Sequence, residues 1–200
     1  MTSANRYFIV HKPFNMVSQF VSPDNVTLLG EIDFDFPEGT HAIGRLDNHS
    51  EGLLILTTDK RVTRLLFNSQ TPHKRTYFVQ LNQLVSNESL QRLIDGVSIE
   101  IQNGEYYIAK AVDAAIIPEP DLFKRVMTEH ERNIPNTWLS ITLTEGKFHQ
   151  IRKMVKAIRH KCRRLIRVSI EDLLLENLEA GKVKEIGGEE FFRKLKIESN

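Results

Sequence analysis

The sequence holds a single cysteine, Cys162, so no internal disulfide can form, and no cluster of Cys and His around that thiol gives a structural zinc pattern. No apolar run approaches the roughly 18 residues of a membrane-spanning helix. The start, Met1-Thr2-Ser3-Ala4-Asn5-Arg6, lacks the apolar segment of a secretion signal, so a soluble, cytoplasmic protein is expected. Acidic residues are missing from one stretch. Between Gly146 and Val168 nine Lys or Arg occur with no Asp or Glu, whereas Ser169 to Asn200 carries eight acidic residues. The net charge of +1 therefore conceals a basic stripe. The bland reading of such a run is a solvated helix face, but ordinary soluble helices intersperse Glu for i,i+4 pairs, so an unbroken run of one sign over 23 residues weakens that reading.

Two hundred residues with 40% hydrophobic content suffice for one compact domain, or two subdomains sharing a core. Arg6 to Pro13 reads as a strand stopped by proline. The polar connector from Ser22 to Thr40 reads as loop with one helical turn, anchored by Leu28, Leu29 and Ile32. Gly52 to Thr58 is a strand-length apolar run, and Asp59 is placed to cap a helix reaching about Asn68. Thr76 to Leu81 is β-branched and aromatic, and its period of two puts Tyr77, Val79 and Leu81 on one face. Ser86-Asn87-Glu88 starts a helix that Asp95-Gly96 ends. One or two strands are expected over Tyr106 to Ile117, an exposed loop over Glu119 to Asn136, and a half-buried strand over Trp138 to Thr144. The following helix sets Phe148, Ile151, Val155 and Ile158 on a packing side and His149, Arg152, Lys156 and Arg159 on a basic side. An arginine-studded strand follows from Lys161 to Ile170, then a short helix, Gly181 and a last β segment. This order, without strict βαβ alternation, indicates an α+β fold with a mixed, mainly antiparallel sheet and helices packed on it.

Two segments carry chemistry. Gly44-Arg45-Leu46-Asp47-Asn48-His49-Ser50-Glu51-Gly52 sets an acid in a polar turn just before a buried strand; alone, such an aspartate usually bonds its own backbone. Glu145-Gly146-Lys147-Phe148-His149-Gln150-Ile151-Arg152-Lys153-Met154 opens the basic helix; alone, it reads as a phosphate-binding helix start. With Arg75-Thr76-Tyr77-Phe78-Val79 between them and Arg164-Leu165-Ile166-Arg167 after them, the order and spacing resemble the pseudouridine synthase superfamily, in its RsuA-like branch, from about Arg6 to Ile186. Ile134-Pro135-Asn136-Thr137-Trp138-Leu139 is similar to the members acting on the large ribosomal subunit. Arg75 stands where the branch usually has lysine, and Phe148-His149 where it usually has Asn-Arg.

The resemblance implies the pseudouridine synthase catalytic fold and isomerisation of a uridine to pseudouridine in ribosomal RNA, most similar to the 23S-directed group, without metal or cofactor. It assigns Asp47 as the catalytic carboxylate, Arg152 as its guanidinium partner, Tyr77 as the surface on which the base stacks, and Leu165 as a pocket residue, with Arg45 also on the substrate. A carboxylate beside the sugar can attack C1′, attack C6, or take a proton from C2′; the residues leave the three open, and the resemblance favours the last, through a glycal. An ionised acid in a water-poor pocket needs a nearby guanidinium to stay charged, which is the work assigned to Arg152. The residues expected to touch RNA are Lys147, His149, Lys153, Lys156, Arg159, Lys161 and Arg163, with Arg125 and Arg132 as further candidates. Residues 1–200 are expected to form one catalytic domain without a separate N-terminal RNA-binding domain, acting as a monomer on ribosomal RNA and away from membranes. A catalytically idle RNA-binding or ribosome-assembly factor is the rival reading. A metal-dependent nuclease is disfavoured, because no second carboxylate clusters with the first.

Overall fold

A computed structural model of the chain describes residues 4–67, 71–101, 103–124 and 134–198. They fall into two compact units, one from Met1–Lys74 with Ile166–Asn200, the other Arg75–Leu165. In the first unit, β1 (Tyr7–Lys12) lies between β3 (Glu51–Thr57) and β11 (Val183–Ile186), antiparallel to both. Short β2 (His41–Ile43) pairs with the end of β3. The start of β3 runs parallel to the C-terminal half of β9 (Cys162–Ile170) at Glu51↔Ile166 and Gly52↔Arg167. Gly52 has φ +101, and a Cβ there would strike the Arg167 backbone, so only glycine lets the two strands approach.

Both faces of β1 are covered. Phe8 and Val10 join Leu54 and Leu56 under Met16, Leu29 and Ile32, with Phe20, Phe34 and Phe36 packed around them. The long connector is thus fastened by its sparse apolar residues, each contributing roughly 1.5–3 kcal/mol through burial, and its one helical turn is a 3-10 turn at Leu29–Glu31. Tyr7, pointing the other way, stacks on Phe191 and meets Phe192 edge-on. Helix α1 spans Val62–Phe67. Asp59 accepts the Arg61 N–H, as a capping residue would, but the helix begins only at Val62.

In the second unit, β4 (Arg75–Asn82) pairs antiparallel with β8 (Asn136–Leu143) along all eight residues, and β7 (Asp113–Ile117) takes the other edge of β8. Helix α2 (Asn87–Asp95) starts where Ser86 accepts the Ser89 N–H and stops at Gly96. A hairpin of β5 (Val97–Glu100) and β6 (Tyr106–Ala109) follows; β5 was not expected, although Val97 and Ile99 are buried and alternate with exposed Ser98 and Glu100. The core gathers Val79, Leu81, Leu93, Ile141, Ile151, Val155 and Leu165.

The expected α+β class holds, with pairing mainly antiparallel and four α-helices among the described residues. Three expectations change. β8 is buried at six of its eight positions rather than on one face. Phe148 is 65% exposed and off the helix, because His149 takes a left-handed backbone (φ 54) and α3 (Gln150–Ala157) starts only after it. No helix lies between β9 and Gly181: Leu173 and Leu175 are buried and Leu174 exposed, a period of two that forms β10 (Leu173–Leu174) against β9. The chain ends on helix α4 (Gly188–Leu195) instead, its acids Glu189 and Glu190 in the first turn and Arg193 and Lys194 in the last, matching the helix dipole. No helix among the described residues is long and apolar enough to cross a membrane.

Candidate active site

Asp47 and Arg45 belong to the first unit, and Tyr77, Arg152 and Leu165 to the second. The Asp47 turn is fastened on both flanks. Before it, Gly44 turns the chain at φ +66, where a Cβ would lie 2.7 Å from the Phe67 ring. Leu46 is buried, and its N–H donates to Ser18 Oγ at 3.0 Å while that hydroxyl donates back to the Leu46 carbonyl at 2.9 Å. The Ser50 N–H closes the turn on the Asp47 carbonyl at 2.9 Å. After it, the Asn48 carbonyl accepts from the Asn15 N–H at 3.0 Å and from Lys12 Nζ at 3.2 Å. Asp47 is half-buried and Arg45 exposed, so the acid sits on a rigid mount with a face toward solvent.

Lys12 is a residue bonded to this turn that sequence reasoning missed. Its ammonium is fully buried and also donates to the carbonyls of Pro13 (2.9 Å) and Met16 (2.6 Å). Burial pushes it down to about 8 from the ordinary 10.5; the carboxylates of Glu51 and Asp47 pull it back up and Arg167 adds to the drop. A lysine closing a strand whose other residues are all apolar, aromatic or His was the available signal.

In the second unit, Tyr77 lies opposite Ile141 on β4 and packs, partly buried, against the cluster that contains Leu165, Ile151 and Val155. Tyr77 and Leu165 are thus brought onto one cluster. Arg152, half-buried on α3, acts on the Cys162 thiol, which burial pushes up to about 11 and the guanidinium draws partly back. The entry to α3 is tied by residues the sequence reading did not single out for this task. Glu145 accepts from Tyr107 Oη and from Gln150 Nε2, each at 2.7 Å, and Gln150 Oε1 accepts the Lys147 N–H at 2.8 Å. Of the residues expected to touch RNA, Lys147, Lys156, Arg159, Lys161 and Arg163 are exposed. Lys153 leans over the Phe148 ring and donates to the Ile101 carbonyl, and His149 stacks on Phe148 at 3.9 Å. Arg125 and Arg132 lie outside the described residues. Among the described residues no group of three or more His, Cys, Asp or Glu is arranged to hold a metal ion.

The family model described as RNA pseudouridylate synthase matches residues 6–157. Ribosomal large subunit pseudouridine synthase E of Vibrio parahaemolyticus is 35% identical over 182 residues, covering 90% of this chain and 74% of that protein. The protein of the same name from Xanthomonas axonopodis pv. citri is 33% identical over 171 residues, covering 85% and 88%. A crystal structure of a pseudouridylate synthase superposes with a TM-score of 0.74 at 26% identity, covering 96% of this chain and 74% of that one.

Proposed function

This chain belongs to the RNA pseudouridylate synthase family, and from that premise we propose that it converts a uridine of large-subunit ribosomal RNA to pseudouridine, with Asp47 as the catalytic carboxylate. The observation that carries the reading is the Asp47 turn itself, cross-bonded to Ser18, Asn15 and Lys12 and followed at once by the fully buried strand β3. Breaking N1–C1′, turning the uracil and joining C5 to C1′ is redox-neutral, so one placed carboxylate and a held base are the whole requirement. A carboxylate tied through its backbone on both sides loses little freedom at the moment of reaction, which is where positioning lowers a barrier.

Tyr77, Leu165 and Arg152 are proposed to serve the same reaction. Tyr77 presents a flat ring on which a base can turn in its own plane, a stack worth about 1–3 kcal/mol per base. Arg152 supplies a guanidinium to that reaction, and Arg45 meets the substrate from the Asp47 turn. The exposed Lys147, Lys156, Arg159, Lys161 and Arg163, with Lys153 and His149, contact the RNA backbone; such phosphate contacts offset the few kcal/mol of turning a nucleotide out of its stack. The enzyme is proposed to act as a cytoplasmic monomer. Relatives of the same name are large-subunit synthases in two organisms, which supports that subunit as the target.

Purified protein incubated with ribosomal RNA labelled with tritium at uridine C5 should release tritium, and Asp47→Asn should reduce release below detection. Undiminished release by Asp47→Asn would remove the acid from the mechanism. A chemical map of pseudouridine along both ribosomal RNAs, with and without the protein, identifies the uridine. A map unchanged by its loss would favour the idle RNA-binding factor.

A further inference from the structure

Residues flanking the Asp47 turn build a second feature, within the first unit, beside the contacts that hold the acid. The segments Phe14-Asn15 and Asn48-His49 lie side by side. The Asn15 N–H donates to the Asn48 carbonyl at 3.0 Å, Asn48 Nδ2 reaches Asn15 Oδ1 at 3.4 Å, and the Phe14 and His49 rings stack at 5.3 Å with planes 25° apart. Phe14 is 53% exposed, so part of its ring meets solvent. Beside this stack opens a cavity of about 230 Å³ lined by Asn15, Asn25, Val26, Thr27, Glu31 and Asn48. It is smaller than the roughly 300–1,000 Å³ of pockets for drug-sized ligands, which suits a single small planar group. Besides Val26, its lining is three amides, a hydroxyl and a carboxylate, with no cation, so it suits hydrogen-bonding edges and not a phosphate. Glu31 spends Oε1 on the Leu28 N–H. Asn48 Oδ1 is buried without a hydrogen-bond partner, and its Nδ2 donates to Asn15 Oδ1 at 3.4 Å.

We propose that this platform and cavity bind one nucleotide adjacent to the target uridine, and that they select adenine or cytosine there. The proposal rests on the isomerase reading above. Single-stranded RNA is read by stacking a base on an aromatic surface and bonding its edge, and an asparagine amide complements a base that pairs an amino donor with a ring-nitrogen acceptor. Adenine and cytosine carry an amino group where guanine and uracil carry a carbonyl. The Glu31 carboxylate, which lines the cavity, accepts from the amino group and repels the carbonyl. Asn48, which lines the cavity, is the residue next to Asp47, so a nucleotide bound there is a near neighbour of the reacting one.

The test uses the full chain and a short RNA around the mapped uridine, with each of the two nucleotides on either side replaced singly by A, C, G or U, and kcat/KM read by tritium release. At one position A or C should exceed G or U by about tenfold. Glu31→Gln preserves the bond to Leu28 and gains an amide donor, and should erase or reverse that preference while turnover continues. Phe14→Ala should raise KM for all four bases with the preference retained. Equal rates for all bases at every flanking position, or a preference unchanged in Glu31→Gln, overturns the assignment and leaves the isomerase reading intact. Failure of the wild type to release tritium from any ribosomal RNA overturns both.

Discussion

Replacing Lys12 with methionine tests how the Asp47 mount is held. Methionine has nearly the length of lysine and no donor, so it can fill the same buried slot. At pH 7 the buried ammonium is charged, and its fall from 10.5 to about 8 corresponds to about 3 kcal/mol of folding free energy, at 1.36 kcal/mol per pH unit. Lys12→Met relieves that cost but strands the Pro13 and Met16 carbonyls, at roughly 1–3 kcal/mol each, while the Asn48 carbonyl keeps Asn15. The two effects nearly cancel, so urea unfolding at pH 7 should place the variant within about 2 kcal/mol of wild type. The pH dependence is sharper. The folded protein releases this proton near pH 8 whereas the unfolded chain keeps it to about 10.5, so over that window the unfolded state binds more protons and wild-type stability rises with pH. The difference between wild type and Lys12→Met should therefore widen in favour of wild type by about 2 kcal/mol between pH 7 and 9.5. Comparing the two proteins cancels every other titrating group. Parallel curves would refute a buried, charged Lys12. Tritium release should fall through kcat more than KM, because the variant loosens Asn48 and with it the neighbouring acid.

Three further outcomes follow from the same geometry. Asp59 is buried and bonded to the Arg61 side chain and backbone and to Tyr7 Oη, which hold its carboxyl down to about 2; wild type should lose stability as pH falls from about 4 to 2. Asp59→Asn should cost about 1–2 kcal/mol at pH 7 by urea unfolding, after allowing for the half-exposed Arg61, and should flatten the acid loss. The Cys162 thiol keeps its proton to about 11 in the folded chain against 9.0 unfolded, so folding stability should fall between those pH values, and Cys162→Ala should abolish the fall in thermal melts. In RNA binding titrated with salt, Lys156→Gln with Arg163→Gln should lower the slope of log K against log salt by about 1–2, and an unchanged slope removes both from the RNA interface.

Local signals carried most of the fold. β3 and β4 were visible because a buried strand and an alternating strand each leave a direct pattern, and α2 because Ser86 and Gly96 mark its ends. The misreadings occurred where backbone conformation overrode pattern. Phe148 fits a helical period, but His149 at φ 54 breaks the turn that would have carried it. Glu171 at φ 48 and Glu176 at φ 52 likewise bracket Leu173 to Leu175 and stop the helix that their leucines suggest. Positive φ at a residue other than glycine is decided by tertiary bonds, and no propensity scale reports it. The motif residues of the site were legible individually; the bonds that hold them were not, since Ser18, Asn15 and Lys12 reach the Asp47 turn from about 30 residues away in sequence.

Those bonds explain why the first unit tolerates features that work against its own stability. Lys12 is a desolvated cation, Asn15 is left-handed at φ 61, and Ser50 Oγ is buried without a partner. Each is unfavourable by itself; Lys12 and Asn15 bond the turn that carries Asp47, and Ser50 closes it. Removing any one by an apolar or glycine substitution would ease local strain or burial, yet each also supplies, or sits within, a contact that keeps the acid from swinging. A surface turn with an aspartate needs none of this, because its carboxylate can satisfy itself on the backbone. Costs accepted at the residues that fasten one acid fit a turn shaped to place it. The same reasoning requires Asn15→Gly, which fits the left-handed backbone without its strain, to hold or raise stability while lowering kcat; a variant equally active would show that the turn's rigidity serves folding alone.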